Sequence, residues 1–350
     1  MIEDYSFLYI FLFLPIILWL ILKYIGLMDR RYYAVINFLL LATCLGFRGV
    51  NIGSDTRTYL NLFEHHANVG ISGWIVDGFE WGYILLNKLL YFSEFPAQSI
   101  LIVAAFVTIG ITVYVFYTYS DKLWLSLYLF VGLGLYGYSF NIMRQTLAAA
   151  IVMLAVCLLS EGKRLWFVCL VLLGTTFHQS VMLFLPMVFL CNAKKSYIVG
   201  YIAVCVMTVL IIYGSGLEYF LFLIENSKYI GYMGSNRLGE VSFGFGLIKV
   251  FFNIALGFIG IGMYLKNMQR DKLLILSSLL VITAGVVDFL SYHMAMIGRF
   301  SYNYFLYDTI LIPKLLKYSN LERNIYVLYF LIVAVVIWFT KYFMSIGHYI

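Results

Sequence analysis

Charge is what this chain has least of: only 11% of its 350 residues are Asp, Glu, Lys or Arg, and prolines number four. A soluble domain needs a polar surface, and a nucleic-acid partner needs a concentrated basic face. Neither is available, because the net charge of +6 is scattered through short loops. The cysteines (Cys44, Cys157, Cys169, Cys191 and Cys205) lie in apolar stretches with no C-x-x-C spacing, which reads as buried thiols rather than disulfides or metal ligands. There is no Walker loop, nucleophile elbow, H-E-x-x-H or D-x-D pair. These absences argue against ATPases, serine hydrolases, zinc proteases and metal-dependent nucleotide-sugar transferases. No cofactor and no metal are called for.

What is there is hydrocarbon. Hydrophobic residues make up 63% of the chain and aromatics 19%. Apolar runs of about 20 residues recur from end to end, as helices crossing a ~30 Å hydrocarbon core require. The expectation is an all-α, polytopic membrane protein forming a single transmembrane domain over 1–350. About ten full spans are expected, near 6–27, 33–47, 97–118, 123–140, 143–160, 197–216, 246–265, 273–291, 299–316 and 325–344. Phe7 to Leu22 has no basic segment before it and no small-residue cleavage site after it, so it reads as a retained span.

Lys and Arg in short loops favour the cytoplasm. Placing there the segments around Lys23–Arg31, Lys122, Lys163–Arg164, Lys194–Lys195, Lys266–Lys272 and Lys314–Arg323 puts both termini outside. One stretch breaks the alternation. Residues 165–192 are flanked on both sides by basic residues, EGKR and NAKK. Two half-length helices meeting near Thr176–His178–Gln179, a re-entrant hairpin, keep both flanks inside. Non-helical backbone at that depth is tolerated only within protein or in a wet cavity, so His178 is expected to face one. Residues 48–95 form an outer loop with an interfacial helix near 79–91. A second outer loop, 214–246, is a possible specificity element.

Charges beside a bilayer are expensive and are functional candidates by default. On this topology Arg48, Asp55, Arg57, Glu64, Glu80, Arg144, His293 and Arg299 gather at one outer boundary, with His178 reachable from it. Forked, permanently charged guanidinium groups suit a phosphate or diphosphate. Each arginine, taken singly, also fits a side chain snorkelling to the headgroups. Gly49 and Gly53 let the loop bend sharply. Asp55 shares a helix face with Tyr59, or else caps that helix. Glu80 and Tyr83 share the next face. Glu64, His65 and His66 form a weak metal alternative, since adjacent histidines diverge on a helix. His178 is the leading general base, with a backbone-bonded histidine at a hairpin tip as the alternative.

The run Arg48-Gly49-x-x-x-Gly53-x-Asp55-x-x-x-Tyr59-x-x-x-Phe63, followed by Glu80-x-Gly82-Tyr83, resembles the EpsG-like family of Wzy-type polysaccharide polymerases. So do Met143-Arg144-Gln145, the Gly162-Lys163 turn, Phe177-His178-Gln179-Ser180 and Gly298-Arg299-Phe300 with Tyr302 and Tyr304. The resemblance covers about 33 to 310. It implies a bacterial glycosyltransferase similar to the GT-C-type lipid-linked enzymes, in the cytoplasmic membrane. Such an enzyme joins undecaprenyl-diphosphate-linked repeat units at the outer face by inverting, metal-independent transfer, with a chain-length regulator as a possible partner. It also implies Arg48, Arg144, Arg299 and Arg57 on the diphosphate. His178 is implied as base, with Asp55 or Glu80 next, and Tyr59, Tyr83, Asn141 and Gln145 along the sugar path. A flippase for lipid-linked sugars, or a ligase, remains the alternative.

Overall fold

The computed structural model describes residues 8–69, 79–192, 195–211, 243–266, 271–292 and 295–346, and among them there are helices and connecting turns but no strand. The loop expected at 214–246 lies almost wholly outside the described residues, as does His293. Helices α1 (Leu8–Tyr24) and α2 (Arg30–Gly46) precede two short helices, α3 (Thr56–Asn61) and α4 (Phe63–Asn68). Next come α5 (Trp81–Phe92), α6 (Gln98–Tyr119), α7 (Leu123–Gly132), α8 (Leu135–Tyr138), α9 (Met143–Ser160) and α10 (Arg164–Thr175). A 3-10 helix, Gln179–Asn192, leads to α11 (Lys195–Ile211) and α12 (Phe243–Lys266). The chain continues through α13 (Lys272–Leu290), α14 (Ala295–Phe305), α15 (Asp308–Tyr318) and α16 (Ile325–Ile346).

The centre of the bundle is α9. Its run LAAAIVM is apolar on every side, which is the pattern of a helix enclosed by others. Positions 145–153 are all buried, and α6, α10, α13 and α14 pack around it. The core spreads from there through Phe116, Phe130, Tyr136, Phe140, Phe167 and Tyr307, each fully buried.

Among the described residues four helical stretches are long and apolar enough to cross a membrane: Gln98–Tyr119, Met143–Ser160, Gly246–Lys266 and Lys272–Leu290. The expectation of ten uninterrupted spans is corrected in two places. Residues 123–140 are two helices because Gly134 takes φ +82°, a left-handed conformation that side-chain-bearing residues avoid. Residues 299–316 are also two, parted by a tight turn in which Tyr307 N–H donates to Tyr304 O at 3.1 Å. The stretch 165–192 does break at Thr176–His178, as the basic flanks suggested. Its first arm is α-helical, about 18 Å long at 1.5 Å per residue. Its second arm is a 3-10 run containing Pro186.

An ionic staple joins three elements at one end of the bundle. Asp271 caps α13 by accepting from Leu274 N–H at 3.1 Å, and also accepts from Lys314 Nζ at 2.8 Å and the Tyr318 hydroxyl at 2.9 Å. Lys314 lies 3.5 Å from Asp121, which pairs with Lys317 at 2.5 Å. Cys157 of α9 lies in the field of Lys314. It is about 20 Å along that helix from Arg144.

Candidate active site

Glu80 is the residue on which the far end of the bundle converges. It stands at the N-cap of α5 in extended conformation, yet its side chain makes no capping bond to that helix. The carboxylate turns across to two other parts of the chain instead. Oε2 accepts from Nη1 of Arg144, in the first turn of α9. Oε1 accepts from the Gln179 backbone N–H at 3.3 Å and lies 3.4 Å from His178 Nδ1. The His178 contact is too long and oblique for a full hydrogen bond, but close enough to polarise the ring. Glu80 is 7% exposed, Arg144 20% and His178 26%, so the carboxylate is inside and its two partners reach the opening.

The hairpin tip is brought here by close backbone contact. Gly82 N–H donates to Thr176 O at 2.8 Å, and a Cβ on Gly82 would collide with the Thr176 side chain. Only glycine lets the start of α5 sit against the tip. Asn303 Nδ2 then holds Ser180 Oγ at 2.9 Å, tying the second arm of the hairpin to α14.

One wall of the site is aromatic. The Arg144 guanidinium lies 4.3 Å from the Phe79 ring centroid and 5.7 Å from that of Tyr83. Tyr59 meets Tyr83 edge-on at 5.9 Å, and the His66 ring lies 4.3 Å from Phe79. Cation–π contact holds the guanidinium without using its N–H groups. Arg144 Nε is buried and makes no hydrogen bond. Tyr59 is a further partner of the guanidinium, which is 20% exposed and keeps part of its forked donor surface towards the opening.

Electrostatics fix the charge states. Burial works to raise the Glu80 pKa, but the neighbouring His178 ring and the Arg144 charge outweigh it, and the carboxyl is held below the usual range. Glu80 is therefore an anion that orients its neighbours. Burial pushes the Tyr59 phenol up, so it stays protonated.

The remaining sequence candidates divide. Arg48 is 4% exposed, and donates from Nε to Thr56 Oγ1 at 2.9 Å and from Nη1 to Leu45 O at 2.7 Å. Its guanidinium lies 5.8 Å from the Phe140 ring centroid, so Arg48 braces the loop. Gly53 helps: its φ of +91° brings it against Phe140 O. Asn141 Oδ1 accepts from Ser54 N–H at 2.8 Å, pinning the same loop. Asp55 occupies the N-cap of α3 without a side-chain cap bond. Arg57 is exposed and donates to Asn51 at 2.9 Å. Glu64 and His65 are exposed while His66 is buried, so the trio diverges as helical neighbours do. Gln145 is buried and donates to Arg299 O at 2.5 Å and to Asn303 Oδ1 at 3.3 Å. Its role is to hold α14, and with it the exposed Arg299, beside α9.

Sequence reasoning passed over a second charged group. Lys249 Nζ lies 2.9 Å from Asp288 Oδ2 and 3.3 Å from Ser301 Oγ. Asp308 is fully buried and neither carboxyl oxygen has a hydrogen bond. The signal was available, since all three interrupt runs read as spans.

Carboxylate, imidazole and guanidinium together can hold an anion and accept a proton within one opening. The profile of the EpsG family matches residues 31–350. No curated protein and no solved structure matches the chain.

Proposed function

The chain belongs to the EpsG family, and from that premise we propose that it joins undecaprenyl-diphosphate-linked oligosaccharide repeat units into a surface polysaccharide. Family membership suggests a polysaccharide polymerase-type role for a multi-pass membrane protein, and implies lipid-linked sugars as substrates. The finer reading puts the site at the outer face of the bacterial cytoplasmic membrane, with both termini on that side. The observation that carries it is the convergence of Arg144 and His178, both part-exposed, on the single carboxylate of Glu80.

The reaction is an inverting displacement. A hydroxyl at the non-reducing end of the acceptor attacks the anomeric carbon of the donor glycan. The bond from that carbon to the diphosphate oxygen breaks, and undecaprenyl diphosphate leaves with the electron pair. Arg144, helped by Arg299, stabilises the charge gathering on the leaving oxygens, an electrostatic role that calls for no metal. Glu80 lies beside Nδ1 of His178 and polarises the ring, leaving Nε2 on the far side to take the hydroxyl proton. Tyr59, Tyr83 and Phe79 supply the aromatic face against which a sugar ring stacks. Purified protein in nanodiscs, given a synthetic lipid-linked repeat unit, is expected to yield a ladder of products and free undecaprenyl diphosphate. Intact substrate would overturn the proposal.

One observation favours a second reading, transport of the same lipids. Lys249, Asp288 and Asp308 put charge within the bundle in addition to the Glu80 cluster, as a translocation path would. A transporter moves fluorescent lipid-linked sugar between leaflets without forming bonds, and the same nanodisc assay separates the two.

A further inference from the structure

Helix α11 packs on α13 and on the 3-10 helix, but it stands off from α12, and the gap is an apolar groove of about 460 Å³. Ile202 and Val206 form one side, Ile254 and Phe258 the other, and Ile282 and Val286 of α13 the floor. Every described residue lining it is apolar, Cys205 included, because a free thiol behaves as a small hydrophobe. We propose that this groove seats the polyprenyl tail of a lipid-linked substrate. The proposal rests on the reading that the substrate is a lipid-linked sugar.

A run of apolar contacts leads from the groove to α14. Val209 and Val286 line the groove, and both also pack into a small cluster with Leu290 of α13 and Ile297 and Phe300 of α14. Ile297 and Phe300 flank Arg299 in sequence, so one end of the groove runs under the helix that carries this exposed arginine. The Arg299 carbonyl is in turn gripped by Gln145 at 2.5 Å, one residue from Arg144. A tail lying in the groove therefore brings its headgroup towards α14, the helix that carries Arg299, with Arg144 on the helix α9 packed beside it. This is charge complementarity for a diphosphate. The Lys249–Asp288 pair lies one residue to the side of lining positions Val250 and Phe289, and its charges are spent on each other.

The test uses the whole chain in nanodiscs and two probes carrying the same photoreactive group. One is undecaprenyl diphosphate labelled in its tail, the other phosphatidylglycerol labelled in an acyl chain. After irradiation, labelled peptides are mapped by mass spectrometry. The undecaprenyl probe is expected to mark residues 202–210, 250–258 and 282–289 at least tenfold more than phosphatidylglycerol does. Excess unlabelled undecaprenyl diphosphate should displace it. Val206→Trp and Ile254→Trp fill the groove and should cut labelling tenfold, and Arg299→Ala should weaken it. Equal labelling by both probes, or undecaprenyl label concentrated on the exposed face of α16 (Tyr326, Tyr329, Phe330), would overturn the groove. The wild-type map decides even if a tryptophan variant fails to fold. Labelling in the groove without polymer formation would refute the polymerase reading alone. Polymer formation with label elsewhere would refute the groove alone.

Discussion

The two ends of the α9 bundle each carry an ionic cluster made from similar parts, and they differ in what is left over. At the Asp271 end, Lys314 is 9% exposed and is clasped between two aspartates, with a tyrosine and a helix N-terminus completing the set. Its charges answer one another and tie α13 to α15, with Asp121 Oδ2 held by Lys314 as an ion pair at 3.5 Å rather than by a hydrogen bond. At the Glu80 end one carboxylate serves an arginine, an imidazole and a backbone N–H, while the arginine and the imidazole remain part-exposed. A closed cluster fixes helices relative to one another. An open one keeps capacity for something that is not part of the chain.

Removing groups from the open cluster should therefore cost mainly activity, and removing groups from the closed one mainly stability. The largest effect is expected for His178→Ala. Loss of a general base lowers turnover about 10²- to 10⁴-fold, measured as product per minute from a defined lipid-linked repeat unit, with the melting temperature unchanged within a few degrees. Arg144→Ala should follow with a loss of about 10²- to 10³-fold, the scale of one transition-state donor. Arg144→Lys should recover only part of it, because an ammonium lacks the fork. In contrast, Lys314→Met leaves two carboxylates without their shared cation. It is expected to destabilise the fold by about 3–5 kcal/mol, as broken buried pairs do, seen in thermal unfolding, while activity per folded molecule stays near wild type. If Lys314→Met abolished turnover in folded protein, the contrast between the two ends would be lost.

The smallest effect is a matter of pH. Glu80 has a folded-state pKa below its unfolded value. Its contribution to stability is thus fully present above the ordinary glutamate range and is lost as pH falls through the depressed folded value. Wild type should melt above Glu80→Gln by a constant margin from pH 7 to about pH 5, and the margin should close below about pH 4. A margin that instead widened towards acid pH would mean that Glu80 is neutral in the fold.

The open end of this contrast was legible in the residues. Glu80, Arg144 and His178 stand out as charges beside hydrocarbon, and the paired basic flanks of 165–192 announced a hairpin. The part that Arg48 plays was not legible, because its partners Leu45 O and Thr56 Oγ1 come together only once the loop folds. The same holds for Asn141 and Gln145, whose amides grip backbone groups distant in sequence. The break at Gly134 was readable in principle, yet an apolar run hides a turn when hydropathy alone is followed. Lys249, Asp288 and Asp308 interrupt such runs, and only the fold brings Lys249 and Asp288 within 2.9 Å of one another.

The central claim is that the Glu80 cluster makes glycosidic bonds, and the most direct measurement follows a synthetic undecaprenyl-diphosphate repeat unit incubated with purified wild type, Arg144→Ala and His178→Ala in the same lipid. The account predicts a product ladder with stoichiometric undecaprenyl diphosphate from wild type, and at least a hundredfold less from either folded variant. Ladders of equal rate and length from all three proteins would contradict it.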